Sequence, residues 1–301
     1  MKYIFIYSLL FVVLGLVVGC TTKNQDAMNL PATQRAEING VQLEIRDRGT
    51  GEPVVFVHGG MGDECAAVVA EPALVTKYRV IDYHLRGWGG SDRVEATVSI
   101  AQHAADCRAV MQHLGVERAH LVGQSSGGVI LLQLAKDFPE AVHTLALLEP
   151  ALPSILFSSP EFKEIVAKAG SLYESGDISG AIETFAQEVA GADYRTVFDR
   201  TLPPGYFERW VADADALFKY PSLDVWRWTR EDAAHITQPV LNMRGANTKP
   251  YFREIHERVR QWLPHAENFV LPNATHAMLQ TNPKGAAERL ASFFSSHRLP
   301  E

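Results

Sequence analysis

Ala119-His120-Leu121-Val122-Gly123-Gln124-Ser125-Ser126-Gly127-Gly128-Val129-Ile130-Leu131 passes from an apolar run through small residues into a second apolar run. The pattern is that of a strand, a tight turn and a helix. Gly123 and Gly127 stand two residues before and two after Ser125. Where a strand turns directly into a helix, the two backbones pass too close for side chains at those positions. The residue between them is held in a strained conformation with its side chain projecting. The pentapeptide alone recurs by chance, but between a strand and a helix it marks Ser125 as a candidate nucleophile.

Working outward, apolar β-rich runs recur at Val41 to Ile45, Pro53 to Val57, Val80 to Tyr83, His120 to Val122, Thr144 to Leu148, Val240 to Met243 and Phe269 to Leu271. Helical stretches separate them, which predicts an α/β protein with a mostly parallel central sheet flanked by helices. Near-continuous apolar character suits strands buried on both faces. Ile100, Ala104, Cys107, Met111 and Leu114 repeat at helical spacing, with Ser99 and Gln102 as a capping box and Gly115 as the stop. The rhythm breaks after Pro150: Glu161 to Glu174, Ile178 to Val189 and Tyr206 to Phe218 are amphipathic and helical. Residues 36–150 and 236–301 are therefore expected to form one core, with 151–235 as an inserted helical lid. The lid aromatics Tyr206, Phe207, Trp210, Phe218, Trp226 and Trp228 are expected in its packing rather than against a ligand.

Two more stretches complete a pattern. Val54-Val55-Phe56-Val57-His58-Gly59-Gly60-Met61-Gly62 is a strand running into a Gly-rich loop, without the Gly-Lys-Ser/Thr ending of a phosphate-binding loop. Asp82-Tyr83-His84-Leu85-Arg86-Gly87-Trp88-Gly89-Gly90-Ser91-Asp92 has the makings of a structural turn. With the elbow around Ser125, these segments resemble the α/β-hydrolase superfamily over roughly residues 36–150 and 236–298. The first is similar to that family's His-Gly-Gly oxyanion segment and the second to its Asp-x-Arg-Gly-x-Gly-x-Ser run, with insertions.

The resemblance implies a serine hydrolase working through an acyl-enzyme, with the chain order nucleophile, acid, histidine. It places the base on the loop after the last strand, where Phe269-Val270-Leu271-Pro272-Asn273-Ala274-Thr275-His276 offers His276. It places the oxyanion donors on the backbone N–H of Ser126 and of Gly60, with Met61 next and His58 as a brace of the loop. The acid departs from the commonest pattern. The stretch that would carry it, Leu241-Asn242-Met243-Arg244-Gly245-Ala246-Asn247-Thr248, has no carboxylate. Some members place the acid after the preceding strand instead, and here Leu145-Ala146-Leu147-Leu148 ends in Glu149. The expected triad is thus Ser125, His276 and Glu149. The implied substrate is a small carboxylester or lactone, with no cofactor and no metal. C–C bond hydrolases, perhydrolases and aminopeptidases share the fold, although Met61 stands where the aminopeptidase-like loop has Pro. Serine at the elbow disfavours epoxide hydrolases and haloalkane dehalogenases, whose nucleophile there is Asp. A reading from another class is a catalytically silent protein that keeps the fold to bind a ligand.

The N-terminus differs in kind from the rest. Lys2 precedes an apolar run from Ile4 to Val18, and Gly19 stands directly before Cys20. The run is shorter than the roughly twenty apolar residues needed to span a bilayer. It reads as an export signal, and Gly19-Cys20 resembles the lipobox of bacterial lipoproteins. Residues 1–19 are expected as signal peptide, Cys20 as the lipidated residue, 20–35 as a tether, and the cell envelope as the location, with the membrane met through the lipid. Cys65 and Cys107 are then expected as two buried thiols on helices. Across all 301 residues the net charge is -7, with 47% hydrophobic and 21% charged residues. With no basic stripe to meet phosphates, nucleic acid is excluded as a partner, and nothing marks an obligate protein partner.

Overall fold

The computed structural model describes residues 32–223 and 225–300. The expected signal peptide, Cys20 and all but the last residues of the expected tether lie outside the described residues. Among those described, no helix is long and apolar enough to cross a membrane.

Eight strands form one sheet: β1 (Gln34–Ile38), β2 (Val41–Arg48), β3 (Glu52–Val57), β4 (Tyr78–Tyr83), β5 (Ala119–Gln124), β6 (Val142–Leu148), β7 (Val240–Gly245) and β8 (Glu267–Leu271). Their order across the sheet is β1-β2-β4-β3-β5-β6-β7-β8. The pairs β1/β2 and β2/β4 are antiparallel and all others parallel. β5 lies between β3 and β6, with Val122 beside Phe56 on one side and Ala146 on the other. Every residue of β5 and β6 is buried, as a central parallel strand covered on both faces requires.

Strand β1 begins at Gln34, inside the stretch expected as tether. Ala36 and Ile38 turn inward while their neighbours face water, so the period of two matches β2. Asn39 and Gly40 at φ 48° and 78° close the hairpin, because a two-residue loop of this hand needs positive φ at both positions.

Helix α1 (Ile100–His113) starts at Ser99, whose Oγ accepts the Gln102 N–H at 3.1 Å. The expected capping box is only half made. The Gln102 side chain donates to Asp106 Oδ1 at 2.9 Å instead of reaching back. The buried carboxylate also takes a two-pronged bond from Arg86, which fixes the Asp82–Asp92 turn against α1. Helix α2 (Ser126–Asp137) leaves directly from β5. Cys107 lies on α1, but Cys65 sits in a turn and not on a helix; both are buried free thiols.

The segment from Pro160 is helical, as α3 (Pro160–Glu174), α4 (Ile178–Ala190), α5 (Tyr194–Thr201) and α6 (Tyr206–Ala212). The last stretch, expected as one helix through Phe218, stops at Ala212 and resumes as a π-helical turn over Asp215–Lys219. Tyr206 and Trp210 pack with Phe198 and Ile182 in a core of their own. After β7 comes α7 (Pro250–Trp262), and after β8 the short α8 (Met278–Thr281) and α9 (Pro283–Ser296).

Candidate active site

Ser125 occupies the junction of β5 and α2 at φ 55° and ψ −123°. Such a conformation costs a non-glycine residue about 1–3 kcal/mol and persists only where its surroundings impose it. The surroundings are visible. Ser125 donates its N–H to Leu148 O at 3.0 Å, and its carbonyl accepts from Gly128 at 3.0 Å and Ala151 at 2.9 Å. A Cβ on Gly127 would lie 2.1 Å from Val57 O, and one on Gly123 would lie 2.6 Å from Gly127 C. Both glycines are thus required by backbone contact, as the elbow pattern predicts.

Glu149 follows β6 directly, at φ 46°, and is completely buried. An isolated carboxylate there would be prohibitive, so its donors matter. Oε1 accepts the Gly245 N–H at 2.8 Å, and Oε2 accepts the Thr248 hydroxyl at 2.9 Å. Oε2 also lies 2.7 Å from His276 Nδ1, on the loop between β8 and α8. With a carboxylate at Nδ1, that nitrogen carries the proton and Nε2 keeps its lone pair. The imidazole lies flat on Phe252 of α7, with ring centroids 3.6 Å apart and planes 7° apart. Its main-chain carbonyl accepts from Gln124 Nε2 at 2.7 Å, so the residue before Ser125 holds the histidine loop. The structure therefore brings Glu149 and His276 into direct contact and ties the His276 loop to the residue preceding Ser125.

The Gly-rich loop after β3 presses on the elbow: a Cβ on Gly59 would lie 2.8 Å from Ser125 Cβ. His58 braces it, taking the Leu85 N–H on Nε2 at 2.9 Å while Nδ1 lies 2.8 Å from Gly59 O. Burial pushes its pKa down to about 3, so the ring stays neutral. Sequence reading overlooked Glu64. Its Oε2 accepts the Gly59 N–H at 2.8 Å and its Oε1 the Met61 N–H at 2.9 Å. The Met61 N–H is thereby occupied, and the N–H of Gly60 is left between two occupied neighbours. Burial pushes the Glu64 carboxyl up to about 8. Only the short spacing of Glu64 from the glycines hinted at this role, because burial cannot be read from a single acidic residue. Ser126 is the first residue of α2, so its N–H lies at the positive end of the helix dipole.

Ser125, Ser126 and Gly60 open onto a cavity of about 350 Å³, with Phe252 in its wall. The core side supplies Leu85 and Ile130, and the stretch between β6 and β7 supplies Leu156, Phe162, Phe185 and Leu217. Phe218, expected in the packing of the lid, lines this cavity too. Among the described residues, no Asp, Glu, Lys or Arg lines it. The insertion is fastened beside the Gly-rich loop, since Arg209 Nε donates to Asp63 Oδ2 at 2.7 Å. Asp213 accepts the Gly89 N–H at 3.0 Å and pairs with Arg93. Burial would raise Asp63, but His84 and Arg209 hold its carboxyl below the usual range.

The model of the alpha/beta hydrolase fold family matches residues 52–283. A dihydrolipoyllysine-residue acetyltransferase component of the acetoin cleaving system from Cupriavidus necator is 36% identical over 120 residues, 40% of this chain and 32% of that one. The chain thus spans about a third of that relative's length. A fluoroacetate dehalogenase from Burkholderia sp. is 29% identical over 217 residues, covering 70% of this chain and 68% of the other. Among solved structures, a carboxylesterase from Bacillus subtilis superposes with a TM-score of 0.72 at 21% identity, over 88% of this chain and 92% of that one. The chain belongs to the alpha/beta hydrolase fold family.

Proposed function

We propose that this member of the family hydrolyses a small, uncharged carboxylester or lactone through an acyl-enzyme on Ser125. One observation carries the reading: a serine held at a strained elbow faces an uncharged apolar cavity while Glu149 fixes the tautomer of His276. Ser125 Oγ attacks the carbonyl carbon as His276 Nε2 takes its proton, and Glu149 stabilises the imidazolium that results. The oxyanion takes the N–H groups of Ser126 and Gly60. His276 returns the proton to the departing alcohol, then activates the water that releases the acid and regenerates Ser125. The apolar character of the described lining suits an apolar acyl or alcohol portion, since a charged group there would lose hydration.

The dehalogenase relative suggests displacement of halide as another use of the fold. Serine does not suit it: displacement by Ser125 would leave an alkyl ether, which has no carbonyl for water to attack. A fluorophosphonate probe and a panel of p-nitrophenyl esters and lactones test the proposal together. Labelling and turnover should both vanish in Ser125→Ala. Folded protein that neither labels nor turns over any of them would favour a binding protein that keeps the fold. For location, we propose the cell envelope, on the strength of the apolar run ending in Gly19-Cys20. Cys20→Ala should then move the protein from the membrane to the soluble fraction, and continued membrane association would favour an uncleaved anchor instead.

A further inference from the structure

We infer that Glu64 is a positioning residue for the oxyanion site: its carboxyl clamps the N–H groups on either side of Gly60, holding the Gly60 N–H in place for the oxyanion of a Ser125 adduct. The inference rests on the acyl-transfer reading above. Its basis is the loop itself. Gly59 and Met61 both donate to Glu64, at 2.8 and 2.9 Å, and the Glu64 N–H returns to Met61 O at 3.1 Å. A Gly-rich loop has many accessible conformations, and a peptide flip at Gly60 would aim a carbonyl where a donor is needed. The carbonyl of that same peptide, Gly59 O, lies 2.8 Å from His58 Nδ1, so the flip would break this buried contact, while Glu64 fixes the peptides on either side of it and with them the direction of the Gly60 N–H.

The clamp also reaches the base. The carbonyl of Glu64 accepts from Gln280 Nε2, on α8, which follows His276 directly in the chain. Gln124, the residue before Ser125, holds the carbonyl of His276 from the other side. Glu64, Gln124, His276 and Gln280 border one small cavity behind the elbow. The oxyanion loop, the base and the nucleophile are thus held in register by main-chain bonds from three side chains.

The charge on Glu64 fits the role. Its neighbour Asp63 carries the nearby cationic contacts, from Arg46, His84 and Arg209, and among the described residues no salt bridge reaches Glu64. The titratable groups facing it are Asp63 and Cys65 on its own loop and His276 across the small cavity. Burial raises its carboxyl, while the Gly59 and Met61 N–H groups favour the carboxylate whose two oxygens accept from both.

The test compares Glu64→Gln with the parent protein on an ester it turns over, normalised to active sites counted by fluorophosphonate. Glutamine has one acceptor oxygen and cannot hold both N–H groups. A loss of kcat of about 10- to 100-fold with KM little changed is expected, since a donor shifted rather than removed costs less than the ~10²–10³ of outright removal. Affinity for a trifluoromethyl ketone, which forms the oxyanion adduct with Ser125, should fall by the same factor. Glu64→Asp, which keeps two acceptor oxygens on a shorter arm, should recover part of both. Unchanged kcat and ketone affinity would overturn the inference, as would a loss confined to KM or to the fraction folded. Parent protein with no Ser125-dependent turnover would instead overturn the acyl-transfer reading, so the two failures are separable.

Discussion

Glu149→Gln is the substitution on which the candidate site depends most, because the carboxylate meets three donors and an amide can accept at only one end. With the amide oxygen at the Oε2 position, His276 and Thr248 are still served, but the amide NH₂ points at the Gly245 N–H that now donates to Oε1 at 2.8 Å. The clash of donors costs about 1–3 kcal/mol in a buried site. With the amide reversed, Gly245 is served and the NH₂ faces His276 Nδ1. The imidazole must then accept at Nδ1 and carry its proton on Nε2, where it cannot remove the proton of Ser125. The corresponding Asp→Asn substitution in the serine protease triad lowers kcat about 10⁴-fold, or roughly 5.4 kcal/mol at ~1.36 kcal/mol per tenfold. A loss of that order is expected here, with a fall in Tm of a few degrees for each kcal/mol lost. Steady-state kinetics on an ester substrate, beside thermal unfolding, measure both. A kcat within tenfold of the parent, still dependent on Ser125, would show that Glu149 does not orient the base.

Gly127→Ala should destabilise at or above the ~1–3 kcal/mol range of overpacking, since its Cβ would stand 2.1 Å from a backbone carbonyl that cannot move aside; a Tm within a degree of the parent would contradict the elbow packing. Asp213→Ala removes the acceptor of the Gly89 N–H and the partner of Arg93, so limited proteolysis should cut faster within residues 160–219 and KM should rise more than kcat falls. For Glu64 the sign is set by a folded pKa of about 8 above its ordinary 4.5: between those values the folded state binds the extra proton, so stability falls as pH rises. Glu64→Gln should lose less stability than the parent between pH 5 and pH 8, as read by denaturant titration. The comparison also sets aside His84, which Asp63 and Glu44 hold at about 9 and whose contribution likewise fades as pH rises from its ordinary value.

The parts of the fold legible in the sequence were those where one residue type has one physical reason. Gly123 and Gly127 are glycine because neighbouring backbone leaves no room, and the apolar runs of β5 and β6 are continuous because both faces are covered. The hairpin of β1 is not legible although Asn39-Gly40 signals it, because Gln34 and Arg35 fall in the expected tether and leave only Ala36 and Ile38 to show a period of two. The break at Ala212 and the place of Phe218 in the cavity wall were not legible. Periodicity shows that a helix has an apolar face, but not whether that face meets core or cavity. Glu64 escaped for a similar reason, since an acidic residue in a polar loop reads as solvated until its burial is known.

The position proposed for the acid departs from the family's commonest pattern but keeps its geometry. β6 and β7 are adjacent and parallel, with Leu148 beside Met243, and the Glu149 N–H donates to Met243 O at 3.1 Å. Their ends are therefore about 4.8 Å apart, the spacing of neighbouring strands. A carboxylate leaving either end can meet the same imidazole if its side chain makes up the difference. Glutamate is one methylene longer than aspartate, and the left-handed backbone at Glu149 changes the direction in which that side chain leaves. The loop after β7 has no carboxylate and supplies donors to Glu149 instead, through the Gly245 N–H and the Thr248 hydroxyl. Thr248 cannot carry the charge that a carboxylate in this loop would have brought, but it stabilises that charge where it now sits. A missing carboxylate beside Thr248 and a glutamate at the end of β6 are two halves of one arrangement.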